Sequence, residues 1–178
     1  MSERIQINNE FLPLDLQKFW ARARVNTYAG DATPIPGITS PGSTGFRYHE
    51  EKSDLFYIDE FHTHSKIPGR FIGGEAIRQG SYMGLRSGFY HYAGGLTEEG
   101  LKLGEETVYG VLKKVLKERA EVVRFGNRVM IDIEGQGGNW QYEGYGSIKP
   151  WSWEDRERIT LNHALLYEFV GTGVCFVG

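Results

Sequence analysis

The sequence predicts an α+β protein made of two degenerate repeats, each a helix followed by antiparallel strands. Three observations point there. From residue 46 the pattern changes to period two, with residues 46–49 and 55–61 as two strands of a hairpin, the signature of half-buried strands. Glycine is abundant, with 24 among 178 residues against an average share of roughly 7%. With 13% aromatics, this composition suits many turns between strands that pack with rings. Finally, residues 69–95, GRFIGGEAIRQGSYMGLRSGFYHYAGG, have an echo in residues 151–173, WSWEDRERITLNHALLYEFVGTG. Trp153 stands where Phe71 stands, Glu157 where Glu75 stands, and Ile159 where Ile77 stands. After a gap of five residues, Tyr167-Glu168-Phe169 and Gly171 echo Tyr90-His91-Tyr92 and Gly94. The expectation is one domain over residues 1–178, with halves at about 12–96 and 105–178. These halves pair into a curved sheet or an open barrel with the helices packed on it.

Residues 1–11 read as a ragged lead-in. A helix starts at Leu12-Pro13-Leu14-Asp15, where proline suits the first turn and an acid suits the positive end of the dipole. Leu16, Phe19, Trp20 and Ala23 form its apolar stripe, and Lys18, Arg22 and Arg24 lie off it. Gly30 is placed to supply a left-handed cap. Residues 30–45 hold three of the six prolines and four glycines, which excludes a helix or a central strand and leaves a long loop, either functional or a mobile connector. Residues 46–49 and 55–61 make a hairpin around residues 51–54. On its second strand Leu55, Tyr57, Asp59 and Phe61 share one face. The strands of 69–95 follow, and residues 96–104 read as a glycine-punctuated connector. The second helix runs from about residue 105 to 119, with its stripe at Val108, Val111, Leu112 and Val115 and its acids and bases ordered for the dipole. Strands then resume to the C-terminus, with a hairpin turn at 135–138.

The net charge of −3 argues against nucleic acid as a partner, because phosphate binding wants a basic surface. No apolar run reaches 18 residues, so no membrane span is expected. The polar start MSERIQINNE lacks the apolar core of a signal peptide. The single cysteine, Cys175, permits no internal disulfide and suits the cytoplasm; it reads as a small buried hydrophobe. No Walker loop, GxGxxG at a strand-helix junction, CxxC, HExxH or GxSxG is present, so no cofactor is expected.

Three sets of residues are candidates for chemistry. His62 and His64 lie two apart on a strand, which points both imidazoles the same way for a metal. A pair of surface histidines is the competing reading. Asp59, Glu60, Glu75, Asp132, Glu134 and Glu157 are carboxylates in strand contexts. Two of them held about 5–9 Å apart make an acid/base pair, and bonding to Arg, Tyr or backbone amides is the alternative. Among the aromatics, Tyr57, Phe71, Tyr90, Tyr92 and Trp153 suit the wall of a ligand cavity as well as a core.

Trp20, Thr27-Tyr28-Ala29, Tyr57-Ile58-Asp59-Glu60-Phe61, the Phe71-to-Ile77 box and Tyr90-His91-Tyr92 with Gly94-Gly95 resemble an uncharacterised bacterial domain-of-unknown-function family. The resemblance covers the chain from about residue 16. The second half departs from it, since Trp151-Ser152-Trp153-Glu154 stands in place of the usual Phe-Gly knot. The family implies a two-fold repeated soluble fold, often found behind a DNA-binding helix-turn-helix domain. Only about a dozen residues precede the domain here, too few for such a helix-turn-helix.

The leading expectation is a non-enzymatic module of sensing or regulatory type that binds a small molecule or a protein. Its site is expected on the sheet face, lined by Tyr57, Phe71, Glu75, Tyr90, Tyr92, Trp153 and Glu157. The alternatives are a carboxylate- or metal-dependent hydrolase or isomerase, and a structural homodimer.

Overall fold

The computed structural model describes residues 3–6, 13–30, 32–38, 40–134 and 137–176. Among them, ten strands form one open antiparallel sheet, in the order β1-β7-β8-β9-β10-β6-β5-β4-β3-β2. In chain order the elements are β1 (Glu3–Gln6), α1 (Leu14–Asn26), β2 (Ile35–Pro36), β3 (Thr44–His49), β4 (Leu55–Thr63), β5 (Arg70–Gln79) and β6 (Arg86–Leu96). Then come α2 (Glu98–Leu103), α3 (Glu105–Glu118), β7 (Arg128–Ile133), β8 (Trp140–Lys149), β9 (Ser152–Leu161) and β10 (Ala164–Cys175). The α+β class therefore holds, as an open sheet rather than a closed barrel. No described helix is long and apolar enough to cross a membrane.

Two meanders, β2 to β6 and β7 to β10, are sewn together where β6 meets β10. At that seam Gly94 lies opposite Phe169, Tyr92 opposite Gly171, and Tyr90 opposite Gly173. Alternation sends Tyr57, Glu75, Ile77, Tyr90, Tyr92, Trp153, Glu157, Ile159, Tyr167 and Phe169 to one face, where all are buried. Helices α1 and α3 cover this face with the stripes that their periodicity predicts. Leu16, Phe19, Trp20 and Ala23 of α1 and Val108, Leu112 and Val115 of α3 are in the core; Val111 packs partly buried against it. Trp20 is the keystone, edge-on to Tyr90, Phe125 and Trp153 with ring centroids 6.4, 6.4 and 5.5 Å away. Edge-to-face pairs of this kind add about 0.5–1.5 kcal/mol each beyond burial.

Several sequence expectations need correction. The supposed lead-in includes β1, an edge strand paired with β7 from Glu3↔Ile131 to Gln6↔Arg128; a partner more than 120 residues away leaves no local signature. The long loop holds the two-residue edge strand β2, where Pro36 is tolerated because an edge does not need every N–H. Gly30 is not left-handed; the helix closes at Thr27, whose N–H bonds to the Arg24 carbonyl at 3.4 Å. The connector before α3 contains helix α2, N-capped by Thr97, whose hydroxyl accepts from the Gly100 N–H at 3.2 Å. Gly100 looks like a helix breaker, yet a Cβ there would come within 2.1 Å of the Leu166 carbonyl oxygen. Close approach of α2 to β10, not backbone freedom, explains that glycine. Residues 135 and 136 of the expected hairpin turn lie outside the described residues.

Candidate functional site

A cavity of about 510 Å³ lies between α1, α3 and the first meander. Its floor comes from alternate residues of β4, Tyr57, Asp59 and Phe61, with Phe71 and Glu75 of β5 and Tyr92 of β6. Arg24 closes it from the end of α1, Arg124 from the turn after α3, and Tyr109 and Lys113 from α3 itself. The floor is dry, with Tyr57, Asp59, Glu75 and Arg24 each at most 4% exposed. The lip is wet: His64, Pro68, Glu105 and Lys113 are exposed.

The floor holds a buried ion pair. Arg24 Nε donates to both Glu75 oxygens, at 2.9 and 3.2 Å, and Nη1 donates to the Val123 carbonyl at 3.3 Å. The Trp20 indole N–H is a further donor to Glu75. Directly across the strand pair from Glu75 stands Asp59, which accepts from the Tyr92 hydroxyl at 2.5 Å. Burial, reinforced by the charge of Glu75, pushes the Asp59 carboxyl up to about 7. Burial also holds the Tyr57 and Tyr92 hydroxyls well above the ordinary phenol range, so both keep their protons. Two buried atoms of these lining residues have no hydrogen-bond partner among the described residues, Arg24 Nη2 and the Tyr57 hydroxyl.

Beside the cavity, the second meander carries another buried arginine–glutamate pair. Arg124 grips Glu157 with two hydrogen bonds of 2.8 and 3.1 Å, and Tyr142 donates to Glu157 at 3.0 Å. Arg124 has a left-handed backbone, φ 62°, which costs a non-glycine residue about 1–2 kcal/mol. Its carbonyl is held by the Trp153 indole N–H at 3.1 Å, and its guanidinium lies 4.0 Å over Phe169. Asp155 accepts from the Gly126 N–H at 2.7 Å and from the Tyr90 hydroxyl at 3.1 Å.

Burial pushes Asp155 up to about 7 as well. Because the folded-state value lies above the unfolded one near 4, the stability this group contributes is complete below about pH 4. It is lost as pH rises through about 7. Asp155→Asn should remove that slope. Between pH 5 and 8 the wild type should lose on the order of 2 kcal/mol relative to the variant, measured by urea unfolding at each pH. Parallel curves for the two proteins would show that Asp155 is not the titrating group.

Of the residues singled out from the sequence, Tyr57, Phe71, Glu75 and Tyr92 line the cavity. Tyr90, Trp153 and Glu157 do not; they are packed in the core beside it, each at most 2% exposed. His62 and His64 are both exposed. His62 Nε2 meets the Ser40 hydroxyl at 3.2 Å. His64 Nδ1 accepts from the N–H groups of Lys66 and Ile67, at 3.2 and 3.0 Å, and its ring sits at the cavity lip. Among the described residues, no three His, Cys, Asp or Glu side chains group as a metal would need. Cys175 is buried, and burial pushes its thiol up to about 12.

Sequence reading missed Arg24 and Arg124. Arg24 was expected off the stripe, yet it is buried. Its spacing did carry a signal, since Leu16, Trp20 and Arg24 form one i, i+4, i+8 row. Arg124 had no such signal, because a turn residue's direction is set by its backbone alone. Asp155 was legible in principle, one strand period from both Trp153 and Glu157.

Comparison of the chain with family models, with curated proteins and with solved structures found no match.

Proposed function

We propose that the chain is a small-molecule-binding module whose ligand enters the cavity beneath α3. One observation carries this reading: Arg24 Nη2 and the Tyr57 hydroxyl are buried, lack protein partners and belong to residues lining the same cavity. Buried polar groups are nearly always bonded, because each one left unmet costs about 1–3 kcal/mol. Two such donors on one wall suit a ligand that supplies the acceptor. The volume lies within the roughly 300–1,000 Å³ range of ligand sites, and the wall mixes aromatic side chains with charged ones that can orient a ligand.

The reading includes a degenerate two-fold repeat, in which one half binds and the other is closed. The strand registers support it. Phe71 faces Gly94 as Trp153 faces Gly173, and Glu75 faces Tyr90 as Glu157 faces Phe169. Arg24 and Arg124 each hold one of these glutamates. Tyr57 and Tyr142 each lie across from an isoleucine, Ile77 and Ile159. The halves differ where function would separate them. Tyr142 donates to Glu157, whereas Tyr57 donates to nothing. Gly144 lies across from Glu157, at the position that Asp59 holds across from Glu75. The reading also includes a sensing or regulatory role, which the sequence's resemblance to a bacterial domain family implies.

Native mass spectrometry of freshly purified protein, set against the same sample denatured, is the test. An added mass of a small organic molecule, lost when Thr63 or Phe71 on the cavity wall is changed to Trp, is the expected result. A bare mass in both conditions, with no retained ligand after incubation in cell extract, would count against the module.

A second reading has one observation in its favour: Asp59 and Glu75 face each other across β4 and β5 on the cavity floor. A buried carboxyl poised near neutrality beside another carboxylate is an acid/base arrangement. If the ligand found by mass is chemically changed on standing, and Asp59→Asn stops the change, this hydrolase or isomerase reading replaces the first.

A further inference from the structure

We propose that the ligand is a flat aromatic carboxylate, its carboxylate seated between Arg24 Nη2 and the Tyr57 hydroxyl and its ring against Phe61, Phe71 and Tyr92. This rests on the cavity being a ligand site and goes further by naming the chemistry. The two unpartnered floor atoms set the polar end. A guanidinium nitrogen can only donate, and the Tyr57 phenol is held protonated by burial. Both therefore ask for an acceptor, and a carboxylate offers one oxygen to each. A charged acceptor makes bonds about twice as strong as a neutral carbonyl does. The lip carries two cations, Lys113 and Arg70, the latter paired with Glu168, and one acid, Glu105.

The walls set the apolar end. Phe71 is central, with ring centroids 5.9 Å from Tyr92, 6.3 Å from Tyr109 and 6.5 Å from Tyr167. Such clustered rings favour an aromatic guest, which they can meet edge-on or offset. A cavity of about 510 Å³ has room for one or two fused rings.

Asp59 makes the site selective in pH. The titratable and charged groups that face it are Glu75 of β5, Tyr92 of β6, Arg24 of α1, Arg124 of the turn after α3, Tyr57 beside it on β4 and Tyr28 after α1. An anion entering beside Asp59 is repelled by the ionised carboxyl and tolerated by the protonated one. Binding then takes up one proton at Asp59, and affinity falls as pH rises through about 7.

The test is isothermal titration calorimetry with benzoate, indole-3-acetate and 2-naphthoate, each beside its neutral primary amide, at pH 6, 7.5 and 9. These acids stay ionised throughout, since free carboxyls titrate near pH 4. At least one acid should bind ten-fold or more tighter than its amide at pH 6. Its affinity should then weaken toward ten-fold per pH unit above about 7. Asp59→Asn should flatten that dependence. Tyr57→Phe should weaken the acid about ten-fold and the amide, whose carbonyl accepts more weakly, by less. It removes no protein hydrogen bond, so the free protein should unfold at the same urea concentration as wild type. Amides that bind as tightly as acids would overturn the carboxylate assignment and leave the ligand site standing. So would six probes failing to bind a protein that retains a different co-purified molecule. Failure of all six, with no retained molecule in native mass spectrometry, would overturn both.

Discussion

Glu75→Ala is expected to destabilise the protein by about 3–5 kcal/mol, as the loss of one partner from a buried ion pair does elsewhere. Glu75 is 2% exposed and receives Arg24 and the Trp20 indole. Without it, the Arg24 guanidinium remains in the core with little besides the Val123 carbonyl. The low dielectric that makes the pair strong makes the lone charge expensive. Replacing both partners, Arg24→Met with Glu75→Leu, should recover part of the loss, because a matched apolar pair carries no ionic desolvation penalty while the buried Trp20 indole N–H stays without its acceptor. Urea unfolding followed by tryptophan fluorescence reads both variants. A loss below about 1 kcal/mol in Glu75→Ala would mean that water reaches the pair. A double variant as weak as the single one would mean that the packing around the pair, not its charge, is limiting. The double variant should also lose ligand binding, since Arg24 would no longer offer its free N–H. An ion pair more dispensable for stability than for binding is the pattern of a site residue.

Trp153→Ala is expected to cost about 3–5 kcal/mol, the range for a large aromatic removed from a core. Trp153 is 1% exposed and stacks on Tyr90 at 5.8 Å, edge-on to Trp20 at 5.5 Å. Its indole N–H also ties down the Arg124 carbonyl in a left-handed turn. Room for the ring comes from across the strand pair, where Gly173 lies opposite. A Cβ on Gly173 would fall 2.1 Å from the Trp153 ring, so Gly173→Ala alone should cost about 1–3 kcal/mol by overpacking. In the Trp153→Ala background the same change should cost little, because the clash has gone. That coupling, read from a double-mutant cycle in urea, separates steric contact from strand propensity. Additive effects would instead assign the Gly173 penalty to the strand itself. The same logic holds at Gly171, where a Cβ would fall 2.1 Å from the Tyr90 hydroxyl oxygen. Glycines on these strands serve as troughs in which large rings lie along the sheet.

By itself the sequence determined the α+β class, helices α1 and α3, the β3–β4 hairpin, and the faces of β4. Each is a local pattern, a period of 3.6 or 2 closed by turn residues, and local patterns survive whatever the rest of the chain does. It also marked Tyr57, Phe71, Glu75 and Tyr92 as residues that meet, because the strand period places one face together. The tertiary structure alone decided that Trp153, Glu157 and Tyr90 close a core while Tyr57 and Asp59 open onto a cavity. Trp153 and Phe71 read alike in the sequence, but the larger indole is buried and donates to the Arg124 carbonyl. It alone decided that Arg24 and Arg124 turn inward, since a guanidinium's partner lies 51 residues away for one and 33 for the other. It alone placed β1 beside β7, and it alone buried Asp59 and set it against Glu75, so that burial first and the Glu75 charge second lift the Asp59 carboxyl. Burial, charge pairing and titration depend on neighbours distant in the chain, and no local period carries that distance.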